Sequence, residues 1–386
     1  MRAILGVLAL LAGVASACSD PLRPSAGLLL TRIGYTSIVS GGSHTCALTA
    51  DGAAYCWGDA TVNGEGGLGD GSTDSSAVPV AVSRGLTFST LVAQFAETCG
   101  FAAGGTGYCW GARGDSLRSS SSVPTPLPGG LTVEALVIGF LHTCALTTRG
   151  AAYCWGWNTS GQLGDGSTNF SAVPVAVTGG LEFSSLTAGA FHTCGLAVNG
   201  SAYCWGDARV SGEGGLGDGL STFSPIPVAV SGGHTFSVLD AGASYTCGIT
   251  TGGVAYCWGW NGTGVLGDGS TNPSLVPVAV SGGLTVSALS AGGGHTCGLT
   301  TSGEAWCWGS NGMGQLGTGS TIVQSWVPVP VTGGLTFSEL SAGAAHTCGL
   351  TVGSLVYCWG ENASGQLGDG APGVDSNVPI KVAGQP

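Results

Sequence analysis

The sequence predicts an all-β fold: a seven-bladed β-propeller of four-stranded antiparallel blades over residues 31–386. Three observations predict it. A unit recurs seven times along the chain, each unit contains four short extended segments, and each contains two cysteines ten residues apart. Successive cysteine pairs begin 45 to 53 residues apart, a period typical of propellers and solenoids. Four strands per unit favour the propeller, because parallel solenoids usually have shorter units.

The best-preserved unit covers residues 276–319 and reads "VPVAVSGGLTVSALSAGGGHTCGLTTSGEAWCWGSNGMGQLGTG". The small residues of "ALSAG" suit a crowded inner strand beside the central axis. The segment "VPVAV" suits the outer strand, because an edge tolerates proline. "HTCGLT" and "AWCWG" remain for the other two strands. The final "VPIKV" at residues 378–382 either completes the last unit or pairs with strands of the first, and both arrangements close the ring.

The cysteine spacing predicts a β-hairpin stapled by a disulfide. If Cys46 and Cys56 face each other, a three-residue loop centred on Asp51 joins the strands, and its last residue, Gly52, suits a left-handed conformation. Glycine stands at that position in every unit except the last, which has Ser354. Opposed residues on antiparallel strands lie about 4.5–5.5 Å apart, within reach of a disulfide. A metal or redox site would favour C-x-x-C, which does not occur in the sequence. The predicted pairs are Cys46–Cys56, Cys99–Cys109, Cys144–Cys154, Cys194–Cys204, Cys247–Cys257, Cys297–Cys307 and Cys348–Cys358.

The N-terminus predicts export. In "MRAILGVLALLAGVASAC" one positive charge precedes an apolar run and small residues, so residues 1–17 fit a secretory signal peptide. The segment "ASAC" is similar to the bacterial lipobox, in which the cysteine becomes lipid-modified; the alternative is an ordinary signal cleaved nearby, which leaves Cys18 a free thiol. Residues 18–30 then form a lipidated tether, and Ser19 in place of aspartate favours the outer over the inner membrane.

Charge excludes two classes of partner. Acidic residues outnumber basic ones 21 to 9, and Lys381 is the only lysine. Nucleic-acid binding requires a basic face that neutralises phosphates, and anionic lipid also attracts basic segments. We therefore expect no nucleic-acid partner and membrane contact only through the lipid anchor. The 73 glycines and the charged fraction of 8% indicate many turns and few helices.

Side chains that recur from unit to unit are predicted to be framework. A ring of histidines would suit metal or acid–base chemistry, but a catalytic site needs different groups in one place, so one repeated hydrogen bond per blade explains them better. The aspartate of "LGDG" suits a turn, since calcium requires more oxygen ligands. The tryptophan of "CWG" suits packing between blades. We expect no metal and no cofactor. These recurring residues are His44, His142, His192, His295 and His346; Asp70, Asp165, Asp218, Asp268 and Asp369; and Trp57, Trp110, Trp155, Trp205, Trp258, Trp308 and Trp359.

Residues that differ between units are the predicted recognition residues. Exposed aromatic side chains with a few charges are typical of binding hot spots. The candidates in the long loops are Asp59, Glu65, Arg113, Trp157, Phe170, Asp207, Arg209, Glu213, Phe223, Trp260, Met313 and Trp326. Asn-x-Ser/Thr sequences are interpreted as by-products of turn composition and include those at Asn158, Asn199, Asn261 and Asn362.

The string "HTCGLTTSGEAWCWGSNGMGQLGTG" followed by "VPVPV" resembles the repeat of the regulator of chromosome condensation family. The resemblance extends over residues 30–382 and implies a seven-bladed propeller. The family includes a nuclear guanine-nucleotide exchange factor, a secreted bacterial inhibitor of β-lactamase, and ligase-associated and light-receptor modules, which share binding of protein partners through loops on one face. Unit two departs from the pattern, with "AETC" and "ARGDSLRSSSSVPTP", and unit five has Tyr245 in place of histidine. An exported chain would not meet a nuclear GTPase, so no exchange-factor residue is transferred.

Two classes of function follow. The first is a monomeric cell-envelope lipoprotein whose rigid propeller binds a protein partner without catalysis; inhibition of an extracellular enzyme is one form of it. The second is an envelope enzyme that degrades polysaccharide or peptide with carboxylates such as Glu65 and Glu213. The sequence has no nucleophile elbow, phosphate-binding loop or zinc-helix motif, which favours the binding protein.

Overall fold

The computed structural model describes residues 34–102, 105–112, 120–127, 133–208, 215–220 and 222–385. These residues form seven four-stranded antiparallel sheets, each assembled from the strands of one stretch of chain. The predicted seven-bladed propeller is confirmed. Residues 1–33, with the predicted signal peptide and Cys18, lie outside the described part of the chain.

The first four blades contain strands β1 to β18. Blade 1 has β1 (Tyr35–Ser40), β2 (Ser43–Thr49), β3 (Ala54–Asp59) and β6 (Ser76–Ala81), and its loop carries a two-stranded ribbon of β4 (Thr61–Val62) and β5 (Glu65–Gly66). Blade 2 has β7 (Phe88–Gln94), β8 (Glu97–Ala102), β9 (Gly107–Gly111) and β10 (Ser121–Pro126). Blade 3 has β11 (Val133–Ile138), β12 (His142–Thr147), β13 (Ala152–Gly156) and β14 (Ser171–Ala176). Blade 4 has β15 (Phe183–Ala188), β16 (His192–Ala197), β17 (Ala202–Asp207) and β18 (Phe223–Ala229).

The last three blades contain strands β19 to β30. Blade 5 has β19 (Phe236–Ala241), β20 (Tyr245–Thr250), β21 (Ala255–Gly259) and β22 (Ser274–Ala279). Blade 6 has β23 (Val286–Ala291), β24 (His295–Thr300), β25 (Ala305–Ser310) and β26 (Gln324–Pro330). Blade 7 has β27 (Phe337–Ala342), β28 (His346–Thr351), β29 (Val356–Gly360) and β30 (Ser376–Lys381). Two short 3-10 turns, Ser83–Gly85 and Ser281–Gly283, follow outer strands. No helix among the described residues is long and apolar enough to cross a membrane.

The central hairpin of each blade has the predicted loop. In blade 1 the Thr49 amide donates to Ala53 O at 3.0 Å and the Gly52 amide donates to Thr49 O at 2.9 Å. Gly52 has φ +81°, the left-handed region that glycine adopts without steric cost. Ser354 takes the same region in blade 7, with φ +61°.

All seven predicted disulfides form. Each joins directly opposed residues of the two middle strands, as Cys46 opposes Cys56. The paired Cα atoms lie 4.0–4.1 Å apart, closer than the about 4.5–5.5 Å of ordinary opposed pairs, because the short covalent link draws the two backbones together. Seven disulfides are typical of a protein from an oxidising compartment.

Outer strands are protected against pairing with other chains. In blade 1 the Ser76 hydroxyl donates to Val78 O at 2.7 Å, a local turn directly before Pro79 that breaks the ladder with β3. The same serine contact occurs in all seven blades. Proline and a local irregularity both hinder edge-to-edge pairing. "VPVAV" is therefore the outer strand, as predicted, but it ends a blade, so residues 276–280 belong to blade 5 and not to the blade that follows.

The hydrophobic core is divided among the seven gaps between blades. In each gap the disulfide of one blade packs against the tryptophan of the next; Cys194 and Cys204, for example, contact the cluster that contains Trp258. The gap between blades 7 and 1 follows the same rule, with Cys348, Cys358 and Trp57. The predicted packing of the tryptophans between blades is confirmed.

The ring closes by contact between blades, and within the described part of the chain no strand is exchanged between the last blade and the first. The last strand, β30, pairs with β29 of its own blade, so the first of the two predicted closures is correct. At four of the seven gaps a polar inner-strand side chain accepts a hydrogen bond from the backbone of the next blade; we call these contacts the inner-strand latches. They are Thr187 Oγ1 with Ala241 N, Asp240 Oδ2 with Ala291 N, Ser290 Oγ with Ala342 N, and Ser341 Oγ with Ser40 N. The corresponding positions of blades 1, 2 and 3 hold Val39, Val92 and Val137.

Candidate functional site

The propeller has two unlike faces. On one face lie the turns between first and second strands, such as residues 41–42, and the connections between third and fourth strands, such as residues 60–75. We call it the long-loop face. The opposite face has the short hairpin loops, such as residues 50–53, and the connections to the next blade, such as residues 82–87. The connections on the long-loop face are the longest. That face therefore has the most positions at which the side chain is not needed to hold the blades together.

The recurring histidines form a belt that connects neighbouring blades. His142 Nε2 lies 2.8 Å from Thr193 Oγ1 of the next blade, and the same contact recurs at His44, His192, His295 and His346, the last reaching Thr45 across the closing gap. In blade 5 the Tyr245 hydroxyl replaces the imidazole and bonds to Thr296 at 2.9 Å. The prediction of one repeated structural hydrogen bond is confirmed.

The hydrogen bonds of Thr193, Thr347 and Thr45 fix the tautomer of the histidines that they contact. Thr193 Oγ1 donates its only proton to Gln162 O at 3.0 Å, so it accepts from His142, whose Nε2 therefore carries hydrogen. Burial disfavours the charged imidazole and lowers the pKa of His142 to about 3. Burial also lowers the pKa of the other four histidines to about 3 or 4. The belt is thus neutral at physiological pH and its Nε2 atoms are occupied.

The described residues offer no thiolate or carboxylate cluster for a metal. One group of three ligand-type side chains lies close together, Glu97, Cys99 and Cys109, but the two cysteines are bonded to each other. A disulfide sulfur carries no thiolate charge, so this group lacks the ligands that zinc requires.

The "GQLG" loops are framework as well. The carbonyl of Gln162 accepts from both Thr193 Oγ1 and Trp205 Nε1 of the next blade, and Gln315 and Gln366 repeat the arrangement. Units one and four have glycine in place of this glutamine. Correspondingly, among the described residues no acceptor reaches the buried indole N–H of Trp110 or Trp258.

The loop aspartates and three asparagines of the Asn-x-Ser/Thr sequences have structural roles. Asp165 Oδ1 accepts from the Ser167 amide at 2.9 Å and from Asn158 Nδ2 at 3.2 Å, and Asn158 is fully buried. Asn261 and Asn362 repeat this arrangement with Asp268 and Asp369. These three amides are inaccessible to modification. Asn199 is exposed in a hairpin loop.

One ring of unit-specific side chains surrounds the long-loop face. The residue after each "WG" is held by its backbone: the Trp157 amide donates to Leu141 O at 2.8 Å, and the amides of Asp207, Trp260, Ser310 and Glu361 make the matching bond. The bond that the blades share involves only the backbone, so the side chain can differ between units and makes its own local contacts, as Asp59 does with the Thr61 amide and Glu361 with Gln366. We call the seven residues the outer ring; they are Asp59, Ala112, Trp157, Asp207, Trp260, Ser310 and Glu361. Four of the predicted recognition residues occupy it, while Glu361 was missed.

A second set of unit-specific residues lies at the turns nearest the central axis. Phe95, Phe140 and Phe191 of three consecutive blades form a cluster, with ring centroids 4.5 Å and 5.8 Å apart in edge-to-face contacts. Phe140 is 42% exposed. We call these residues the phenylalanine cluster. Sequence analysis missed it, although the signal was present, since the other units have small residues such as Gly293 and Ala344 at the position of Phe140.

Phe95 is held in an unusual conformation. Its φ of +47° is in the left-handed region, which is uncommon for a bulky residue. The Gly42 amide of the neighbouring blade donates to Phe95 O, and a Cβ on Gly42 would lie 2.9 Å from that oxygen. Blade 1 therefore needs glycine here so that blade 2 can present its phenylalanine.

The remaining predicted residues are scattered around the periphery of the long-loop face. Glu65 is exposed on the ribbon of blade 1, and Phe170 is half-buried. Trp326 and Met313 are each 44% exposed. Trp326 lies over Gly264 of blade 5, so the structure brings it beside the loop that begins with Trp260. Phe223 is exposed at the start of β18. Arg113, Arg209 and Glu213 lie outside the described residues.

The central channel contains a cavity of about 190 Å³ lined by inner strands of all seven blades. Its wall is divided: Val39, Val92 and Val137 are apolar, whereas Thr187, Asp240 and their successors are polar. Burial raises the pKa of Asp240 to about 6, and burial also raises that of Glu339, at the closing gap, to about 7. Both oxygens of Asp240 already accept hydrogen bonds, one from Thr187 of blade 4 and one from the Ala291 amide of blade 6. This carboxyl therefore connects neighbouring blades.

Comparison with known families gives one result. Two family models, both described as the regulator of chromosome condensation (RCC1) repeat, together match more than half of the chain. The first matches residues 35–65, 133–162, 286–315 and 337–366, and the second matches residues 149–196, 252–299, 302–350 and 354–386. No curated protein matches the sequence.

Solved structures share the fold at low identity. Human WBSCR16 is 21% identical, with a TM-score of 0.70 over 82% of this chain and 87% of that chain. Prp20p from Saccharomyces cerevisiae is 19% identical, with a TM-score of 0.54 over 90% of this chain and 76% of that chain. The ectodomain of the receptor kinase CR4 from Physcomitrella patens is 25% identical, with a TM-score of 0.55 over 85% of this chain and 74% of that chain.

Proposed function

Since the chain belongs to the regulator of chromosome condensation (RCC1) repeat family, we propose that it is a protein-binding propeller that holds a partner on its long-loop face. The observation that carries this proposal is that on that face the backbone contacts are constant and the side chains vary. Constant backbone contacts hold the outer ring and the innermost turns, while their side chains differ from blade to blade. A rigid framework that displays varied side chains, some of them exposed aromatics, is what a specific binding surface requires.

The related folds support binding rather than catalysis. The Saccharomyces cerevisiae protein Prp20p has binding properties to Gsp1p and to histones, and yeast RCC1 has been crystallised with Kap60. Here the histidines, the loop aspartates and Asp240 are committed to framework hydrogen bonds, and Glu65 projects from an exposed ribbon. We propose that the protein acts without catalysing a reaction.

We further propose that the protein works in the bacterial cell envelope as a monomer anchored through Cys18, with the outer membrane favoured. Seven disulfides suit an oxidising compartment, and the apolar N-terminal segment ending in "ASAC" supports export and lipidation. Mass spectrometry of the membrane-extracted protein would show a lipid-modified N-terminal Cys18, and an unmodified chain would contradict this part of the proposal.

The test is capture of a partner by the full-length protein in its native envelope, after chemical cross-linking in living cells. The test variant changes Trp157, Trp260 and Trp326 to alanine. The matched control changes Val198, Val254 and Val352, which are exposed on the opposite face, to alanine. We expect one protein to be recovered with the wild type and the control and lost with the tryptophan variant. Equal recovery with both variants would refute binding through the long-loop face.

A further inference from the structure

The two faces of the propeller differ in charge. On the long-loop face the described residues include twelve carboxylates and neither lysine nor arginine; the carboxylates are Asp59, Glu65, Asp70, Asp74, Glu97, Asp165, Asp207, Asp218, Asp268, Glu361, Asp369 and Asp375. The opposite face has a mixture, namely Asp51, Glu134, Glu182 and Glu304 with Arg84, Arg149 and Lys381. The acidic character of the chain is therefore concentrated on one side.

The segments outside the described part do not reverse this asymmetry. Residues 113–119 and 209–214 contain Arg113, Arg118 and Arg209, together with Asp115 and Glu213. Even if all three arginines are counted toward the long-loop face, its carboxylates outnumber its cations several-fold. A field of one sign over one face attracts ligands of the opposite charge and speeds their association.

The phenylalanine cluster lies on this acidic face. Phe140 is 42% exposed beside Phe95 and Phe191, and no other described turn of this type carries an aromatic side chain at that position. The face of an aromatic ring attracts a cation, most often the planar guanidinium of arginine. Of the outer-ring carboxylates, Asp59 belongs to blade 1 and Asp207 to blade 4, on the two sides of the cluster, while Glu361 belongs to blade 7. Aromatic rings flanked by carboxylates form a surface complementary to a flat cationic group.

From this juxtaposition we propose that the partner of the long-loop face is a protein segment rich in arginine, with one guanidinium stacked on the phenylalanine cluster and neighbouring basic side chains paired with the outer-ring carboxylates. This inference rests on the proposed function and names the chemical class of the partner. The opposite face lacks both features, because its carboxylates are interspersed with cations and none of its hairpin loops carries phenylalanine among the described residues.

The test uses the full chain and a fluorescein-labelled octa-arginine peptide, with octa-glutamate as the oppositely charged probe, in fluorescence anisotropy at 0.1 M salt. One variant neutralises the outer ring (Asp59→Asn, Asp207→Asn, Glu361→Gln), and the matched control neutralises three carboxylates of the opposite face (Asp51→Asn, Glu182→Gln, Glu304→Gln). Both lose the same charge. The strands hold the two faces about 20 Å apart, which is about two Debye lengths at this salt, so distant charges are screened.

We expect octa-arginine to bind the wild type and the control equally, and the outer-ring variant about tenfold more weakly. Octa-glutamate should not bind. Equal weakening by both charge variants would mean that net charge alone attracts the peptide, and absence of octa-arginine binding to the wild type would mean that the face does not recognise arginine; each result overturns the inference.

A second pair of variants tests the aromatic part. Phe140→Ser should weaken octa-arginine binding several-fold, and Val352→Ser, an exposed change on the opposite face, should leave it unchanged. Unaltered binding to Phe140→Ser would overturn the stacking contact. Thermal unfolding of both variants checks that the fold is retained, which is expected because both side chains are exposed.

The two proposals fail separately. If cross-linking recovers a partner that depends on the tryptophans while octa-arginine binds neither face selectively, the binding function stands and the arginine-rich class is wrong. If octa-arginine binds as expected but no protein is recovered from the envelope, the surface chemistry is correct and the proposed function is wrong.

Discussion

At the scale of single residues, several buried polar side chains hold neighbouring blades together. The belt of histidines and threonines shows how: the hydroxyls of Thr45, Thr193 and Thr347 each accept from an imidazole of the preceding blade and donate to a loop carbonyl. A buried donor that loses its partner destabilises the folded state by about 1–3 kcal/mol. The same residues that resemble a catalytic array are thus the source of interblade cohesion.

Replacement of Thr193 by valine tests this role. The change leaves the N–H of His142 unpaired and removes one of two donors from Gln162 O, so we expect a loss of about 2–3 kcal/mol in the free energy of unfolding. Urea denaturation followed by tryptophan fluorescence would measure it. Thr73→Val, on an exposed loop, should change stability by less than about 0.5 kcal/mol. Similar values for both variants would show that the belt contributes nothing.

The belt also predicts a pH dependence with a definite sign. The folded-state pKa of each histidine is below its unfolded value, so their stabilising contribution is complete above about pH 6.5 and declines as pH falls. The raised pKa values of Asp240 and Glu339 act in the opposite sense, since these carboxyls favour the folded state at low pH and lose that effect as pH rises through their folded values. Five histidines outweigh two carboxyls, so acidification from pH 7.5 to 5 should lower the free energy of unfolding.

Blade 5 provides a direct test of this balance, because it has tyrosine in the belt. Tyr245→His would add a sixth buried neutral imidazole facing Thr296. We expect that the variant, compared with the wild type, loses about 2 kcal/mol more between pH 7.5 and pH 5. Denaturant titration at the two pH values measures the difference. An identical pH dependence of variant and wild type would contradict the assignment of neutral, buried histidines.

At the scale of the structural element, the stapled hairpin is the repeated unit of local stability. The disulfide closes a short loop, so the entropy that it removes from the unfolded chain corresponds to a little under about 3 kcal/mol. Each bond also lies in the gap next to the following tryptophan, so its two sulfurs add to the packing of the core.

Removal of one cysteine pair should therefore lower the free energy of unfolding, by a similar amount in different blades. Cys144→Ala with Cys154→Ala is expected to lower the free energy of unfolding by about 3 kcal/mol, and the same change at Cys297 and Cys307 should cost a similar amount, since the two hairpins have matching registers. Intact mass without reductant should show fourteen hydrogens fewer than the reduced chain. Free cysteine pairs in the purified protein would contradict the predicted staples.

Sequence reasoning succeeded where the structure depends on neighbours in the chain. The hairpin loop at Gly52 and its disulfide follow from a spacing of ten residues, because a tight antiparallel turn leaves little freedom of register. Sequence reasoning had less success with contacts between blades. Thr193 pairs with a histidine 51 residues away, and no residue near either one in the sequence indicates this partner. The phenylalanine cluster was missed for a different reason. Phe140 lies in a short turn between strands, outside the long loops, and its contacts with Phe95 and Phe191 join three separate blades.

At the scale of the whole molecule, the ring is not uniform. Blades 4, 5, 6 and 7 each offer a polar side chain to the next blade through the inner-strand latches, whereas blades 1, 2 and 3 offer valine. Blade 2 also lacks the belt histidine, since Glu97 stands in its place. Cohesion is therefore greater over the arc from blade 4 through the closing gap to blade 1, which places strong contacts where the chain itself is discontinuous.

Hydrogen exchange should reveal this asymmetry. The latched amides of Ser40, Ala241, Ala291 and Ala342 are expected to exchange at least about tenfold more slowly than those of Ala93, Ile138 and Ala188, where the facing residue is valine. Ser290→Val should accelerate exchange at Ala342 and leave Ala241 unchanged. Equal exchange rates at these amides around the ring would contradict the difference in cohesion between the two arcs.

The closed blades also bear on how such a chain can change over generations. Because every sheet is completed within one contiguous stretch, and no strand is lent from the last blade to the first, a gene segment that encodes one unit is also a complete architectural part. Recombination between two units, at matching points, exchanges surface residues such as Trp157 or Phe140 while every sheet retains its four strands. The recognition face can therefore be reassembled by exchange of whole blades, while the sheet and the disulfide of each blade are retained.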